Sequence, residues 1–280
     1  MKRTTALLLA VLSVAPIAGC KVISNASFGG KAEATASATE IRTLAVDNRN
    51  GSIEVVQAEG ITGAEVTAEI RARGATQEEA DRRSAEAKLV IESDAGGTLR
   101  VRVDFPEPRN GSDSASITVR AARADGLELV SSNGAIACEG FAAPLRARTS
   151  NGAIRVERHR GEMNLDTSNG RIEVKRSNGA VQAGTSNGRI EIALDEGATG
   201  DVTAITSNGA IEFELPASWQ GSLEAKTSNG AVEVGTLGGS VSVKTDRNSA
   251  NMTIGNAEAA KASLRTSNGS IRVKSAGGER

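Results

Sequence analysis

The chain has 280 residues, a formal net charge of −1 and 24% charged residues. Because both signs are mixed along the chain and no basic surface results, binding to nucleic acid is excluded. Four Phe, one Trp and no Tyr are present, so the chain can hardly build the aromatic platforms on which sugars and bases usually stack.

Residues 1–19 are predicted to be an export signal. Lys2 and Arg3 precede an apolar stretch, residues 5–14, that is too short to span a bilayer. The next segment, Ile17-Ala18-Gly19-Cys20, resembles the lipobox of bacterial lipoproteins, which implies cleavage before Cys20 and lipidation of Cys20. Lys21 stands where an Asp would favour inner-membrane retention, so the resemblance favours the outer membrane in a Gram-negative host. An ordinary cleaved signal peptide is the alternative.

Two segments precede the repeats described below. Residues 20–38, rich in small and polar side chains, are predicted to form a flexible tether. Residues 39–124 are predicted to form an irregular, strand-rich cap that covers the first coil's edge. Within the cap, Thr76-Gln-Glu-Glu79 is a capping box that begins a short helix over about residues 77–87.

Residues 125–280 carry a repeated Ser-Asn-Gly turn or a close variant. Successive glycines stand nine residues apart from Gly152 to Gly197, and a fixed period is typical of repeat architectures. Gly, and less readily Asn, adopts positive φ, which we expect a sharp corner to require. The predicted structural turns are Asn133-Gly134, Asn151-Gly152, Asn169-Gly170, Asn178-Gly179, Asn187-Gly188, Asn208-Gly209, Asn229-Gly230 and Asn268-Gly269.

Between the turns, apolar and polar residues alternate, which predicts short strands with one buried face. Asn-Gly is also a hairpin signal, so an antiparallel meander is the alternative. Threonines every 18 or 21 residues would stack into one column only in a parallel solenoid. We therefore predict an all-β, two-sided parallel β-solenoid with 18–21 residues per coil and seven to eight coils, about 35 Å long. The threonines are Thr149, Thr167, Thr185, Thr206, Thr227, Thr245 and Thr266.

The same alternation predicts a mostly aliphatic core in the thin interior between the two sheets. With Cys20 lipidated, Cys138 has no disulfide partner and is predicted to be a buried core residue. The predicted core is Leu127, Leu129, Ile136, Cys138, Leu145, Ile154, Val156, Met163, Leu165, Ile172, Val174, Val181, Ile190, Ile192, Val202, Ile211, Phe213, Leu223, Val232, Val234, Val241, Val243, Leu264, Ile271 and Val273.

A family resemblance rests on three features: the early segment Asn48-Arg-Asn-Gly-Ser-Ile-Glu-Val55, the helical insertion, and the serial Ser-Asn-Gly-x-Ile-x-Val coils. Over about residues 40–275 these resemble the bacterial putative-adhesin family. The resemblance implies a β-solenoid of the cell envelope, without agreed catalytic residues, that acts in adhesion, surface scaffolding or envelope-stress sensing. The expected partners are the membrane, through the lipid, and an envelope protein or polysaccharide.

Four glutamates are predicted to share one outward position on successive coils: Glu173, Glu191, Glu212 and Glu233. Like charges about 4.8 Å apart repel, which predicts an interaction surface for a cation or a basic partner. The alternative is a solvated strand face whose charge is softened by Arg171 and Arg189.

No catalytic residue, metal site or cofactor is predicted. The turns carry Thr, Ser and Asn where calcium-binding β-rolls carry Asp, so the anionic oxygens that calcium needs are missing. His159, the single histidine, lies in a charged turn, Glu157-Arg-His-Arg160, and is predicted to be solvated. Because fold alone does not decide activity, a carbohydrate-active β-helix lyase or hydrolase is the alternative function.

Overall fold

The computed structural model describes residues 13–14, 21–25, 31–36, 40–237 and 241–276. Within these residues there is one helix, α1 (Gln77–Glu86). The strands of the first half are β1 (Ser13–Val14), β2 (Lys21–Asn25), β3 (Lys31–Ala36), β4 (Thr43–Asn50), β5 (Ile53–Gln57), β6 (Ala64–Arg71), β7 (Lys88–Ser93), β8 (Thr98–Asp104), β9 (Ser114–Ala121), β10 (Leu127–Asn133), β11 (Ile136–Glu139) and β12 (Leu145–Thr149). Those of the second half are β13 (Ile154–Glu157), β14 (Met163–Thr167), β15 (Ile172–Ser177), β16 (Val181–Thr185), β17 (Ile190–Leu194), β18 (Val202–Thr206), β19 (Ile211–Leu215), β20 (Gly221–Thr227), β21 (Val232–Val234), β22 (Val241–Asp246), β23 (Ser249–Ile254), β24 (Lys261–Thr266) and β25 (Ile271–Ser275).

Successive strands from β10 to β21 alternate between two sheets, and so do β24 and β25, whereas β22 and β23 form a hairpin within the second sheet. The first sheet has the order β1-β3-β6-β9-β5-β11-β13-β15-β17-β19-β25-β21, and the second β2-β7-β8-β4-β10-β12-β14-β16-β18-β24-β20-β23-β22. Neighbouring coils pair in parallel with equivalent residues opposite each other, as in Met163↔Val181 and Ile172↔Ile190. The two-sided parallel β-solenoid is confirmed, and the antiparallel meander does not describe the repeats.

The solenoid begins earlier than the repeat pattern indicates. The sequence places its start at residue 125, but β10 pairs in parallel with β4, and β11 with β5. Residues 43–57 therefore form a full coil of the stack within the segment predicted to be an irregular cap. The helix α1 begins at the predicted capping box, where the Thr76 hydroxyl oxygen accepts a hydrogen bond from the Glu79 N–H at 3.2 Å.

The order of coils differs from the order of the chain at both ends. The coil of β8 and β9 lies outside the coil of β4 and β5, although it follows that coil in sequence. At the other end the last coil, β24 and β25, inserts between β18 and β20 in one sheet and between β19 and β21 in the other. Thr266 consequently lies between Thr206 and Thr227. Thr245 is not part of the column, so that prediction is wrong. Among the described strands β22 pairs with the antiparallel strand β23 alone, where Thr245 lies opposite Ala250.

The predicted core is buried with four exceptions at the C-terminal end of the stack. Val232, Val234 and Val241 are half-buried, and Val243 is 44% exposed, so the prediction for Val243 is wrong. The cause is the unequal length of the sheets. Beyond β20 one sheet continues with β23 and β22, whereas the other ends at β21, so none of the described strands lies opposite the inner face of β22.

Part of the segment predicted to be a tether is in strands. β2 pairs antiparallel with β7, and β3 with β6, which extends both sheets at the N-terminal end. The β3 segment, Lys31–Ala36, alternates small apolar and polar residues, a pattern that suits a strand near the edge of a sheet. Cys20 and, apart from β1, the predicted export signal lie outside the described residues. No described helix is long and apolar enough to cross a bilayer.

Candidate interaction surfaces

One edge of the solenoid carries a continuous ladder of asparagine side chains, which we call the asparagine edge. In each rung the Nδ2 amide donates to the Oδ1 of the asparagine on the neighbouring coil at 2.8–2.9 Å. The ladder begins at Asn50, whose Nδ2 donates to the carbonyl oxygens of Gly111 and Asp113, both at 2.9 Å. In stacking order it comprises Asn50, Asn133, Asn151, Asn169, Asn187, Asn208, Asn268 and Asn229.

The remaining residues of each Thr-Ser-Asn-Gly corner have separate roles. The threonine is buried, and its hydroxyl donates to the corner glycine carbonyl of the preceding coil, as from Thr185 to Gly170 at 3.1 Å. The serines, such as Ser168, face solvent. The glycine is needed because stacked corners approach closely: a Cβ on Gly170 would lie 1.7 Å from the Gly152 carbonyl oxygen. The expectation that positive φ requires these glycines is wrong, since the turn glycines of the predicted set have no positive φ.

One predicted turn belongs to the opposite edge. Asn178-Gly179 follows β15 rather than β14, so the Asn178 side chain is not a rung of the ladder. Gly179 nevertheless belongs to a second close-contact column, because a Cβ there would lie 2.1 Å from the Gly161 carbonyl oxygen. The nine-residue spacing thus combines two different corners that alternate along the chain.

The four predicted glutamates lie on the outer face of the first sheet, beside the asparagine edge. Three of them, Glu173, Glu191 and Glu212, occupy adjacent strands, but Arg272 separates Glu212 from Glu233 because the last coil is inserted. Each glutamate has a cationic partner, so this surface, which we call the Arg–Glu face, is charge-balanced. The ion pairs are Arg155–Glu173 at 2.9 Å, Lys175–Glu173 at 2.5 Å, Arg189–Glu191 and Arg189–Glu212 at 3.3 Å, and Arg272–Glu233 at 2.9 Å.

Glu173 is the most enclosed member of this face, with its side chain 8% exposed. The hydrogen bond from Lys175, aided by Arg155, lowers the pKa of Glu173 against the opposing effect of burial. The carboxylate therefore stays ionised at neutral pH. The other glutamates are more exposed, so each of their ion pairs contributes at most about 1 kcal/mol.

A cleft of about 520 Å³ lies at the edge opposite the asparagine edge, where the loops that follow β5, β9, β11 and β13 meet. Its lining includes Gln57, Glu59, Ile61, Glu139 and Arg158. Arg158 forms an ion pair with Glu139 and has a φ of 52°, a strained value for a residue other than glycine. The sequence gives no signal for this cleft, because its walls come from loops that lie far apart in the chain.

Comparison with known proteins identifies the family. Residues 35–274 match the family described as Toastrack DUF4097. The chain belongs to this family. Two solved structures resemble the Toastrack chain at low sequence identity. A putative cell adhesion protein from Clostridium sporogenes is 10% identical, with 92% of this chain and 100% of that chain covered and a TM-score of 0.38. A putative adhesin from Bacteroides fragilis is 13% identical, with 88% and 97% covered and a TM-score of 0.43. No protein of curated function matches the chain.

His159 is completely buried in this Toastrack chain, and the prediction of a solvated turn residue is wrong. Its Nε2 donates to the Ala143 carbonyl oxygen at 2.8 Å, while Nδ1 has no hydrogen-bond partner that the structure describes. Burial lowers the pKa of His159 to about 4, although the Ala143 carbonyl opposes the shift. The prediction of a buried Cys138 is confirmed, and burial raises the pKa of its thiol to about 12. Neither side chain can contact a ligand at the surface.

The buried His159 should make folding sensitive to mildly acidic pH. The folded chain keeps the imidazole neutral down to about pH 4, whereas the unfolded chain takes up the proton near pH 6.5. Between these values the unfolded state binds more protons, so stability falls as the pH is lowered. When the pH is lowered from 7 to 5, the free energy of unfolding of the wild type, measured with urea, should fall by about 2 kcal/mol more than that of His159→Phe. Equal losses in both proteins would contradict a neutral, buried His159.

The described part of the chain contains no group of three or more His, Cys, Asp or Glu side chains that could hold a metal ion. The most regular polar surface is instead the asparagine edge with the adjoining Arg–Glu face. The ladder amides from Asn133 to Asn268 in stacking order each use one N–H and one lone pair of the oxygen within the ladder, and a second N–H and a second lone pair remain. Asn50 instead donates both of its N–H groups to Gly111 and Asp113. Since most of these asparagines face solvent, the edge presents donors and acceptors at a spacing of about 4.8 Å.

Proposed function

We propose that this Toastrack protein is a non-catalytic, lipid-anchored β-solenoid of the bacterial cell envelope that acts as an interaction module. The anchor is Cys20, in the lipobox-like segment Ile17-Ala18-Gly19-Cys20. Adhesion, surface scaffolding or sensing of envelope stress are the physiological roles that fit such a module. The outer membrane is the favoured location in a Gram-negative host, because Lys21 follows the cysteine.

The asparagine edge is the observation that carries this proposal. Its side chains are held in place by one another, so a partner that binds along the edge orders few additional groups and loses little conformational entropy. The adjoining Arg–Glu face adds fixed charges of both signs, which favours a polar partner of mixed charge over a simple cation. An envelope protein or a polysaccharide lying along the stack has these properties.

The alternative of a carbohydrate-active enzyme has little support from the side chains. The only histidine is buried in the corner between β13 and β14, and Glu173, Glu191, Glu212 and Glu233 each have a cationic partner on a strand face. A general acid needs a raised pKa and access to substrate, and Glu173 has a lowered pKa. A glycan-hydrolysis screen of the purified protein tests this alternative, since turnover abolished by Glu→Gln changes on the Arg–Glu face would overturn the proposal.

Anchoring is tested by growing cells with a palmitate analogue that can be detected on gels. The wild-type chain should incorporate the label and sediment with membranes, and Cys20→Ser should do neither. Cys138→Ser is the matched control, because Cys138 is buried in the core and should not accept lipid. Label retained in Cys20→Ser would show that Cys20 is not the lipidated residue.

The interaction surface is tested with two variants of equal charge change. In the first, Glu173, Glu191, Glu212 and Glu233 become Gln. In the control, four acids on the outer face of the second sheet are neutralised: Asp47, Glu128, Asp166 and Glu224. Binding to isolated envelope fragments of the source bacterium is compared by co-sedimentation. We expect the first variant to lose binding and the control to retain it, and equal binding by both would remove the Arg–Glu face from the proposal.

A further inference from the structure

The Asn-Gly pairs are the positions at which the backbone of this chain can react with a side chain. The backbone nitrogen that follows an asparagine can bond to the asparagine Cγ and expel ammonia, which closes a five-membered succinimide ring. Glycine favours this closure, because it has no Cβ to obstruct the approach. The chain has ten Asn-Gly pairs, all within the described residues, so the surroundings of each pair decide whether it reacts.

Nine of the ten glycines are packed against the backbone of a neighbouring coil. A Cβ on any of them would lie 1.7–2.2 Å from a carbonyl oxygen, so the glycine nitrogen has no room to move towards the asparagine side chain. Eight of the nine preceding asparagines also belong to the asparagine ladder, and a rung must release its ladder hydrogen bonds before its Cγ can reach that nitrogen. The nine glycines are Gly51, Gly134, Gly152, Gly170, Gly179, Gly188, Gly209, Gly230 and Gly269.

Asn110-Gly111, in the turn before β9, is the exception. Both residues are exposed, and a Cβ on Gly111 would meet nothing within 4 Å. The Gly111 N–H has no acceptor among the described residues. The Asn110 Nδ2, which leaves as ammonia in the reaction, has no described partner either. Neither packing nor the ladder therefore protects this pair.

The turn also holds the Asn110 side chain in a position that favours the reaction. Its Oδ1 accepts a hydrogen bond from the Ser112 N–H at 3.0 Å, which closes an Asx turn whose ring includes the Gly111 nitrogen. The hydrogen bond keeps Cγ near that nitrogen and stabilises the negative charge that develops on Oδ1 during the attack. The backbone is fixed at the same time, because the Asn110 N–H donates to Asp113 Oδ2 at 2.9 Å.

We propose that Asn110 is a site of spontaneous deamidation, and that its products loosen the loop that holds the first rung of the asparagine ladder. Hydroxide removes the Gly111 amide proton, the nitrogen bonds to Asn110 Cγ, and the Cγ–Nδ2 bond breaks to release ammonia. Water then opens the succinimide at either carbonyl, so residue 110 becomes aspartate or isoaspartate. The site does not depend on the proposed lipid anchor or on the partner of the Arg–Glu face.

The products change the turn in two ways. Both add a negative charge to the turn that encloses the buried Asp113, and isoaspartate lengthens the backbone before Gly111 by one carbon. The carbonyls of Gly111 and Asp113 each accept from Asn50 at 2.9 Å, and the Asp113 carboxylate pairs with Arg83. A shift of this turn therefore weakens the hold on Asn50 and on α1 together.

Ageing of the full chain, purified in detergent, in a mildly alkaline buffer tests the site. Mass spectrometry of digests taken over time measures the amide-to-acid conversion of each pair. In the folded chain Asn110 should convert at least about tenfold faster than any other pair, because the others must break hydrogen bonds or packing first. In guanidinium chloride all ten pairs should convert at similar rates, since each asparagine then precedes an unhindered glycine.

Gly111→Ala is the matched variant, because its Cβ hinders ring closure and, being exposed, should leave the fold intact. The variant should lose most of the conversion at Asn110 and show unchanged conversion elsewhere. Conversion of Asn110 no faster than that of Asn169 or Asn178 in the folded chain would overturn the site. So would a denatured chain in which Asn110 alone reacts, since the structure would then not be what protects the other pairs.

The effect on the loop is measured on the aged sample itself. Anion exchange separates the deamidated chain from the unmodified one, because deamidation adds a negative charge. Hydrogen exchange should be faster in the deamidated fraction in α1 and in residues 50–53, and unchanged in β16 and β18. Equal exchange of α1 and residues 50–53 in the two fractions would overturn the proposed loosening, even where Asn110 is shown to be modified.

Discussion

Replacing Gly170 by alanine should lower the free energy of unfolding by about 3 kcal/mol, because the stacked corners leave no room for a Cβ. The added atom would lie 1.7 Å from the Gly152 carbonyl oxygen and 2.5 Å from its carbon. That carbonyl accepts the Thr167 hydroxyl at 3.0 Å, so relieving the clash by backbone movement also strains this hydrogen bond. Chemical unfolding followed by circular dichroism measures the loss.

The chain provides a matched control for this substitution. Gly111 lies in an exposed turn, and a Cβ there would meet nothing within 4 Å, whereas Gly170 is buried. Gly111→Ala should therefore change the free energy of unfolding by no more than about 0.5 kcal/mol. If Gly170→Ala is as harmless as Gly111→Ala, the corners do not stack at the distance described.

The corners could be predicted from the sequence because each residue type in them makes the same kind of contact on successive coils. Thr185 illustrates this, since its spacing from Thr167 and Thr206 already indicates a column. The reason for Gly170 could not be predicted, because a glycine needed for close approach and one needed for positive φ look the same in a sequence. Only the position of Gly152 above it separates the two explanations.

The order of the last coils could not be predicted, because a periodic sequence does not state which copies are neighbours. Thr227 and Thr266 precede the same Ser-Asn-Gly corner, so either could follow Thr206 equally well. The structure places Thr266 there, and its hydroxyl donates to the Gly209 carbonyl oxygen at 2.9 Å. The wrong prediction for Val243 has the same origin. Val243 is on the inner face, as the alternation predicts, but none of the described strands lies opposite it.

His159 shows how charged neighbours misled the prediction. Arg158 and Arg160 are exposed, which makes the segment resemble a solvated turn. His159, however, lies 18 residues after Phe141 and 18 before Ser177, and all three are buried. Buried side chains thus recur at this corner with the same period as in the strands. The corner itself has no alternation of apolar and polar residues that would indicate a buried side chain.

A buried ion pair between α1 and the loop before β9 should be the other position at which a single substitution has a large effect. Asp113 is fully buried, and its Oδ2 accepts from Arg83 Nη2 at 2.8 Å and from the Asn110 N–H at 2.9 Å. Its Oδ1 accepts from the Arg73 N–H at 2.9 Å. The Asp113 carbonyl also accepts from Asn50, so the same loop holds the first rung of the asparagine ladder.

Asp113→Ala should therefore lower the free energy of unfolding by about 3–5 kcal/mol. The substitution leaves the guanidinium of Arg83 buried without its counter-charge and two backbone N–H groups without acceptors. Asp125→Ala is the control, since its ion pair with Arg123 is exposed and should contribute less than about 1 kcal/mol. Adding Arg83→Met to Asp113→Ala should recover part of the loss, because the unpaired charge is then removed. Hydrogen exchange should show the destabilisation first in α1 and in residues 110–113. If Asp113→Ala unfolds at the same denaturant concentration as Asp125→Ala, the ion pair does not hold the helix against the solenoid.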